Sequence, residues 1–137
     1  MNSFHTMQPR TYRYRIIQSS WGVVVDLTAS LEEDHEAFTP FPTVRFVSDH
    51  VSPMLRKYIE LGIDLFMQRY PPSKKILGGK YFIVHDVDFR LPDFQKEGIA
   101  CATAGWLSEE CDLKVNPIRL QFDKTIKRYV LDIRCDI

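Results

Sequence analysis

The sequence predicts an α+β domain, with two helices packed on one face of a mostly antiparallel or mixed sheet. Three observations carry that expectation. Runs of alternating apolar and polar residues lie near both ends of the chain, which is the period of half-buried strands. One long internal segment has apolar residues at helical spacing between a capping signal and a proline pair. A second helical segment is built largely from small residues, which lets a helix lie close to its neighbours.

Residues 1–10 read as a flexible N-terminal segment closed by Pro9, leaving 11–137 as a single domain. Tyr12, Tyr14 and Ile16 point one way and Arg13 and Arg15 the other, a strand with one wet face. After a short turn at Ser19-Ser20-Trp21-Gly22, Val23, Val25, Leu27, Ala29 and Leu31 share a face opposite Asp26, Thr28 and Ser30. The two runs form a hairpin. Glu32 to Pro42 is acidic and proline-flanked and is expected as a loop, with Thr43 to Val47 as a short third strand.

The clearest helix follows. Ser52 caps it, Pro53 occupies its first turn, and Leu55, Ile59, Ile63, Phe66 and Tyr70 recur at its period before Pro71-Pro72 stops it. Gly62 costs about 1 kcal/mol relative to alanine inside a helix, so it marks close packing, expected against the sheet. Ser73 to Lys80 reads as a loop. The next strand is expected to turn Tyr81, Ile83, Val87, Phe89 and Leu91 inward and Asp86, Asp88 and Arg90 outward. A helix from about Gln95 to Glu110 carries Gly98, Ala100, Ala102, Ala104 and Gly105. Ile118 to Phe122 and Tyr129 to Ile133 close the chain as strands joined across Asp123-Lys124-Thr125.

Composition narrows the function classes. The 137 residues are 45% hydrophobic and 26% charged, the profile of a folded globular chain. Eighteen basic residues balance eighteen acidic ones, whereas a domain living on phosphate contacts usually carries a clear basic excess. Cys101, Cys111 and Cys135 show no CxxC spacing and no small disulfide framework, so reduced thiols and a cytoplasmic setting are expected. No apolar run approaches membrane-spanning length and the start has no apolar signal core, so no membrane partner is expected.

The residues also resemble a known family. Trp21-Gly22-Val23-Val24-Val25-Asp26-Leu27 is similar to the Gly-X-Val-hydrophobic-Asp strand of domain IV of elongation factor G, the ribosomal translocase. Ser52-Pro53-Met54 through Tyr58-Ile59-Glu60-Leu61-Gly62-Ile63 resembles that domain's helix. Leu77-Gly78-Gly79 with Val84-His85-Asp86-Val87-Asp88-Phe89-Arg90-Leu91 resembles its glycine loop and following strand, and Lys96 to Cys111 lies where its alanine-rich helix would lie. The likeness runs in order over roughly residues 12–115. It implies a stand-alone domain with a left-handed βαβ crossover, against the usual right-handed rule. In the family the domain is an arm whose two tip loops touch transfer and messenger RNA. Here both loops are short, reduced to Gln18-Ser19-Ser20-Trp21-Gly22 and Pro92-Asp93-Phe94-Gln95-Lys96-Glu97. Gly78-Gly79-Lys80 lacks the earlier glycine and the Ser/Thr of a phosphate-binding P-loop.

Candidate chemistry is sparse. His85, Asp86 and Asp88 look like metal ligands, yet strand alternation separates the histidine from the two acids. His5, His35 and His50 have no nucleophile motif beside them, and Cys101 reads as a small buried hydrophobe. No catalytic, metal or cofactor site is therefore expected. The expected function is a non-enzymatic binding module acting as a protein-interaction or regulatory partner. The alternative is an RNA- or ribosome-binding accessory protein. It would use a basic aromatic sheet face of Arg13, Arg15, Tyr12, Tyr14, Lys127 and Arg128, merged if the terminal strands are neighbours. A solvated sheet face is the plainer explanation of those charges at zero net charge. The oligomeric state is left open, with dimerisation through an exposed terminal strand compatible with the pattern.

Overall fold

The computed structural model describes residues 8–18, 21–33, 41–48, 52–89 and 95–133. Strands β1 (Arg10–Gln18), β2 (Trp21–Glu33), β3 (Thr43–Phe46) and β4 (Lys80–Phe89) form one sheet in the order β1-β2-β4-β3. Strands β1, β2 and β4 run antiparallel and β3 runs parallel to β4, so the sheet is mixed. Helices α1 (Pro53–Arg69), α2 (Ser73–Leu77) and α3 (Glu97–Glu110) complete an α+β domain with a separate hairpin, β5 (Ile118–Asp123) and β6 (Arg128–Ile133). Among the described residues, no helix is long and apolar enough to cross a membrane.

Local chemistry sets the element limits. Ser52 Oγ accepts from the Leu55 N–H at 3.1 Å, and Pro53 begins α1 where a missing N–H costs nothing. Strand β1 starts at Arg10, one residue before the expected domain boundary, and residues 1–7 of the expected flexible segment lie outside the described residues. The β1–β2 register pairs Gln18 with Trp21, leaving only Ser19 and Ser20 between the strands. Of the second shortened loop, Pro92, Asp93 and Phe94 lie outside the described residues.

Further expectations need correction. Glu32 and Glu33 belong to β2, because pairing with Tyr81 and Lys80 extends that strand into the segment expected as a loop. Residues Ser73–Leu77 form a short helix, which makes three helices rather than two among the described residues. The closing strands form their own two-stranded sheet and do not extend the first. The inward residues at the start of β4 are Phe82 and Val84, not Tyr81 and Ile83. A β-bulge causes this last difference: Thr28 pairs with Asp86 and Ala29 with Val84, so His85 is an extra residue and the alternation flips there. Beyond the bulge Val87 and Phe89 face the core as expected, and Leu91 lies outside the described residues.

The core lies between the sheet and α3, whose residues Gly98 to Ser108 are all buried. Enclosure on every side explains a helix with small apolar residues all round and no polar face. A Cβ on Gly98 would stand 2.7 Å from a Val23 methyl, and one on Gly105 would clash with the Tyr12 ring. Gly62 of α1 packs on α3 and not on the sheet, with a virtual Cβ 2.6 Å from the Ala100 carbonyl oxygen. The β5–β6 hairpin closes the layer. Tyr14 Oη accepts from the Leu120 N–H at 2.8 Å, and Asn116 Nδ2 donates to the Cys101 carbonyl at 2.9 Å. Gln95 acts as a substitute strand partner, donating to the Tyr129 carbonyl at 2.6 Å and accepting its N–H at 3.0 Å.

Candidate interaction surface

Strand β1 keeps the alternation its sequence predicts, and that alternation divides the candidate basic and aromatic residues between two faces. Cross-strand pairing puts Tyr12 and Tyr14 of β1 beside Leu27 and Val25 on the helix-covered face. Arg13 and Arg15 alternate with them on the opposite face. Arg13 binds Asp26 through two nitrogens at 2.7 and 2.9 Å. Lys127 and Arg128 sit at the far hairpin, where Arg128 reaches Glu97 at 3.3 Å, and Tyr129 is 3% exposed. The sheet that would have joined the terminal strands is split in two, so no common basic aromatic face forms among these residues.

The bulge brings His85 Nε2 to 2.9 Å from Ser30 Oγ. Residues fifty-five positions apart meet there through strand pairing, which no local signal announces. Ser30 is 1% exposed, so the pair satisfies a buried hydroxyl rather than presenting a nucleophile. Among the described residues, no three His, Cys, Asp or Glu side chains are grouped to hold a metal ion.

Buried and half-buried thiols and phenols give the fold an alkaline limit. Burial, with Glu110 adding to it, pushes the Cys111 thiol up to about 11 from 9.0. Burial also raises the Cys101 thiol above 9.0 and the Tyr12 and Tyr14 phenols above 10.0. Each group is held protonated in the folded chain, so its contribution is complete below the unfolded value and lost as pH rises through the folded one. Thermal midpoints are expected to fall steeply above pH 9, and a flat curve to pH 11 would contradict the burial. At pH 8 the raised value predicts alkylation of Cys111 about 100-fold slower than in the unfolded chain, read by mass spectrometry of its peptide.

A different surface is concave. Between the β3 edge and α1 lies a groove of about 410 Å³, lined by Phe41, Pro42, Thr43, Val44, Arg56, Glu60, Ile63 and Asp64. Helical spacing places Arg56, Glu60 and Asp64 one turn apart along its wall. Buried Pro42 and Ile63 and half-buried Val44 supply apolar surface, and Phe41, 47% exposed, stands at its lip. Arg56 lies 3.8 Å from Glu60 and stacks over Phe46 with its guanidinium 4.8 Å from the ring centre. In the sequence α1 reads as an amphipathic core helix and β3 as a minor strand, and neither signals the space between them. Only the parallel pairing of β3 with β4 brings the two walls together.

No protein-family model matches the chain, and no curated protein matches it. Among solved structures, the chain is similar to ttk003000868 from Thermus thermophilus, with a TM-score of 0.52 and 14% identity over 73% of this chain. The chain spans only 15% of that protein's length. Identity this low speaks to the fold alone.

Proposed function

We propose that the chain is a non-enzymatic binding module on an elongation factor G domain IV-like fold, which engages a protein partner through the groove between β3 and α1. The observation carrying this reading is the groove itself: an apolar floor, a half-exposed aromatic at the lip and charges of both signs on the wall. Interaction sites commonly combine an apolar centre with a polar rim. The fold assignment is supported by the order of elements and by β3 and β4, parallel neighbours joined through α1. That unit is where the family's left-handed crossover would lie. A protein partner is favoured over RNA because Arg13 and Arg128 are committed to Asp26 and Glu97, and Tyr14 and Tyr129 face inward.

The test uses the full chain and a Phe41→Asp/Asp64→Lys variant, both surface changes, as baits in lysate of the source cell. Recovery of a defined protein by the first, reduced about tenfold or more with the second, is the expected result. Equal recovery by both baits, or recovery of RNA alone with binding lost as salt rises, would overturn the reading.

A further inference from the structure

The main chain of β3 indicates how the groove is used. Just past the end of β3, the Val47 N–H donates to the Val84 carbonyl at 3.0 Å and so turns toward β4. Backbone groups alternate along a strand, which turns those of Val44 and Phe46 to the opposite, outer side. The Val44 carbonyl agrees: its contact is Arg56 Nη1 of α1 at 3.5 Å, the outer limit of a hydrogen bond. Strand β3 ends the sheet, and among the described residues no strand pairs with that side. Outward backbone groups, of which the Val44 carbonyl is reached by the Arg56 side chain, thus lie along a groove with an apolar floor.

The wall adds a charge preference. Among the described lining residues, one cation, Arg56, stands beside two carboxylates, Glu60 and Asp64, on the same helix. Arg56 pairs with Glu60 at 3.8 Å, while Asp64 accepts from the neutral Gln68 amide at 3.0 Å, so the wall keeps negative charge. We infer that the groove takes an extended segment of a partner protein, added to β3 as a fifth strand and directing a lysine or arginine at Glu60 and Asp64. This rests on the protein-interaction reading above. Strand addition supplies affinity through backbone bonds and specificity through alternate side chains. Two-fold pairing of β3 with a second copy is disfavoured, because it would confront two acidic walls.

The test titrates the isotope-labelled full chain with a short capped peptide alternating valine and lysine, followed by backbone NMR. The Val44 and Phe46 amides are expected to shift. N-methylation at alternate peptide positions of one parity should weaken binding about tenfold or more, and at the other parity hardly at all. A Glu60→Lys/Asp64→Lys variant should reverse the preference toward a valine–glutamate peptide. Groove binding that ignores parity would overturn strand addition while leaving the interaction reading intact. A groove that takes neither peptide would also overturn it, and the capture experiment then judges the interaction reading separately. Concentration-dependent dimerisation that shifts the same amides without peptide would replace the partner by a second copy.

Discussion

Gly62→Ala is expected to lower the thermal midpoint by about 8 °C, although helix preference alone predicts a rise. Alanine would recover about 1 kcal/mol of helix preference. Against that, its Cβ would meet the Ala100 carbonyl oxygen at 2.6 Å and the Thr103 Cβ at 2.8 Å. Both belong to the body of α3, which is buried among the sheet, α1 and the hairpin and has nowhere to retreat. Overpacking of this kind costs about 1–3 kcal/mol or more, and rigid backbone as the neighbour puts the cost at the upper end. The net loss is then about 2 kcal/mol, which at this chain length is worth about 4 °C per kcal/mol. Calorimetry of the purified variant decides it: a higher midpoint would show that α1 and α3 lie further apart than described.

The largest single loss is expected from Trp106→Ala. Trp106 is 1% exposed and meets Phe82 edge to face with ring centres 5.2 Å apart. Its Nε1 donates to the Arg10 carbonyl at 2.8 Å, and the Arg10 guanidinium lies 4.1 Å from the ring centre. One side chain therefore joins α3 to the start of β1 and to the core of β4. Truncating a buried tryptophan costs about 3–5 kcal/mol, and the lost hydrogen bond adds about 1 kcal/mol. A domain of this kind has about 5–15 kcal/mol in all, so the variant should lose about a third or more of its stability. Trp106→Phe should recover part of the loss, since the ring against Phe82 is kept while the Arg10 bond is not. Urea denaturation gives the values, and a loss under about 1 kcal/mol for the alanine variant would refute the described packing.

Much of the fold is legible where local chemistry and burial agree. The β1–β2 hairpin reads correctly because Val23, Val25, Leu27, Ala29 and Leu31 keep one parity on a strand with one covered face. The Ser52-Pro53 start of α1 is legible because capping depends on adjacent residues. Strand β4 reads only in part, because the bulge at His85 is set by pairing with β2 and not by anything within Tyr81 to Phe89. The small residues of α3 correctly signal close packing but not its target, since an absent side chain carries no direction. The candidate groove was illegible for the same kind of reason. Its two walls are separate short stretches, Phe41–Val44 and Arg56–Asp64, ordinary in isolation.

By itself, then, the sequence determined the α+β class, the capped helix, the hairpin and the helix of small residues, because each follows from propensities and periodicities acting over a few adjacent residues. Tertiary structure alone decided that the closing strands form a separate sheet, that the Tyr14 hydroxyl meets the Leu120 N–H, and that β3 leaves its outer backbone beside the wall of α1. Those outcomes depend on which distant segments exclude water together, and that is a property of the assembled chain rather than of any stretch of it.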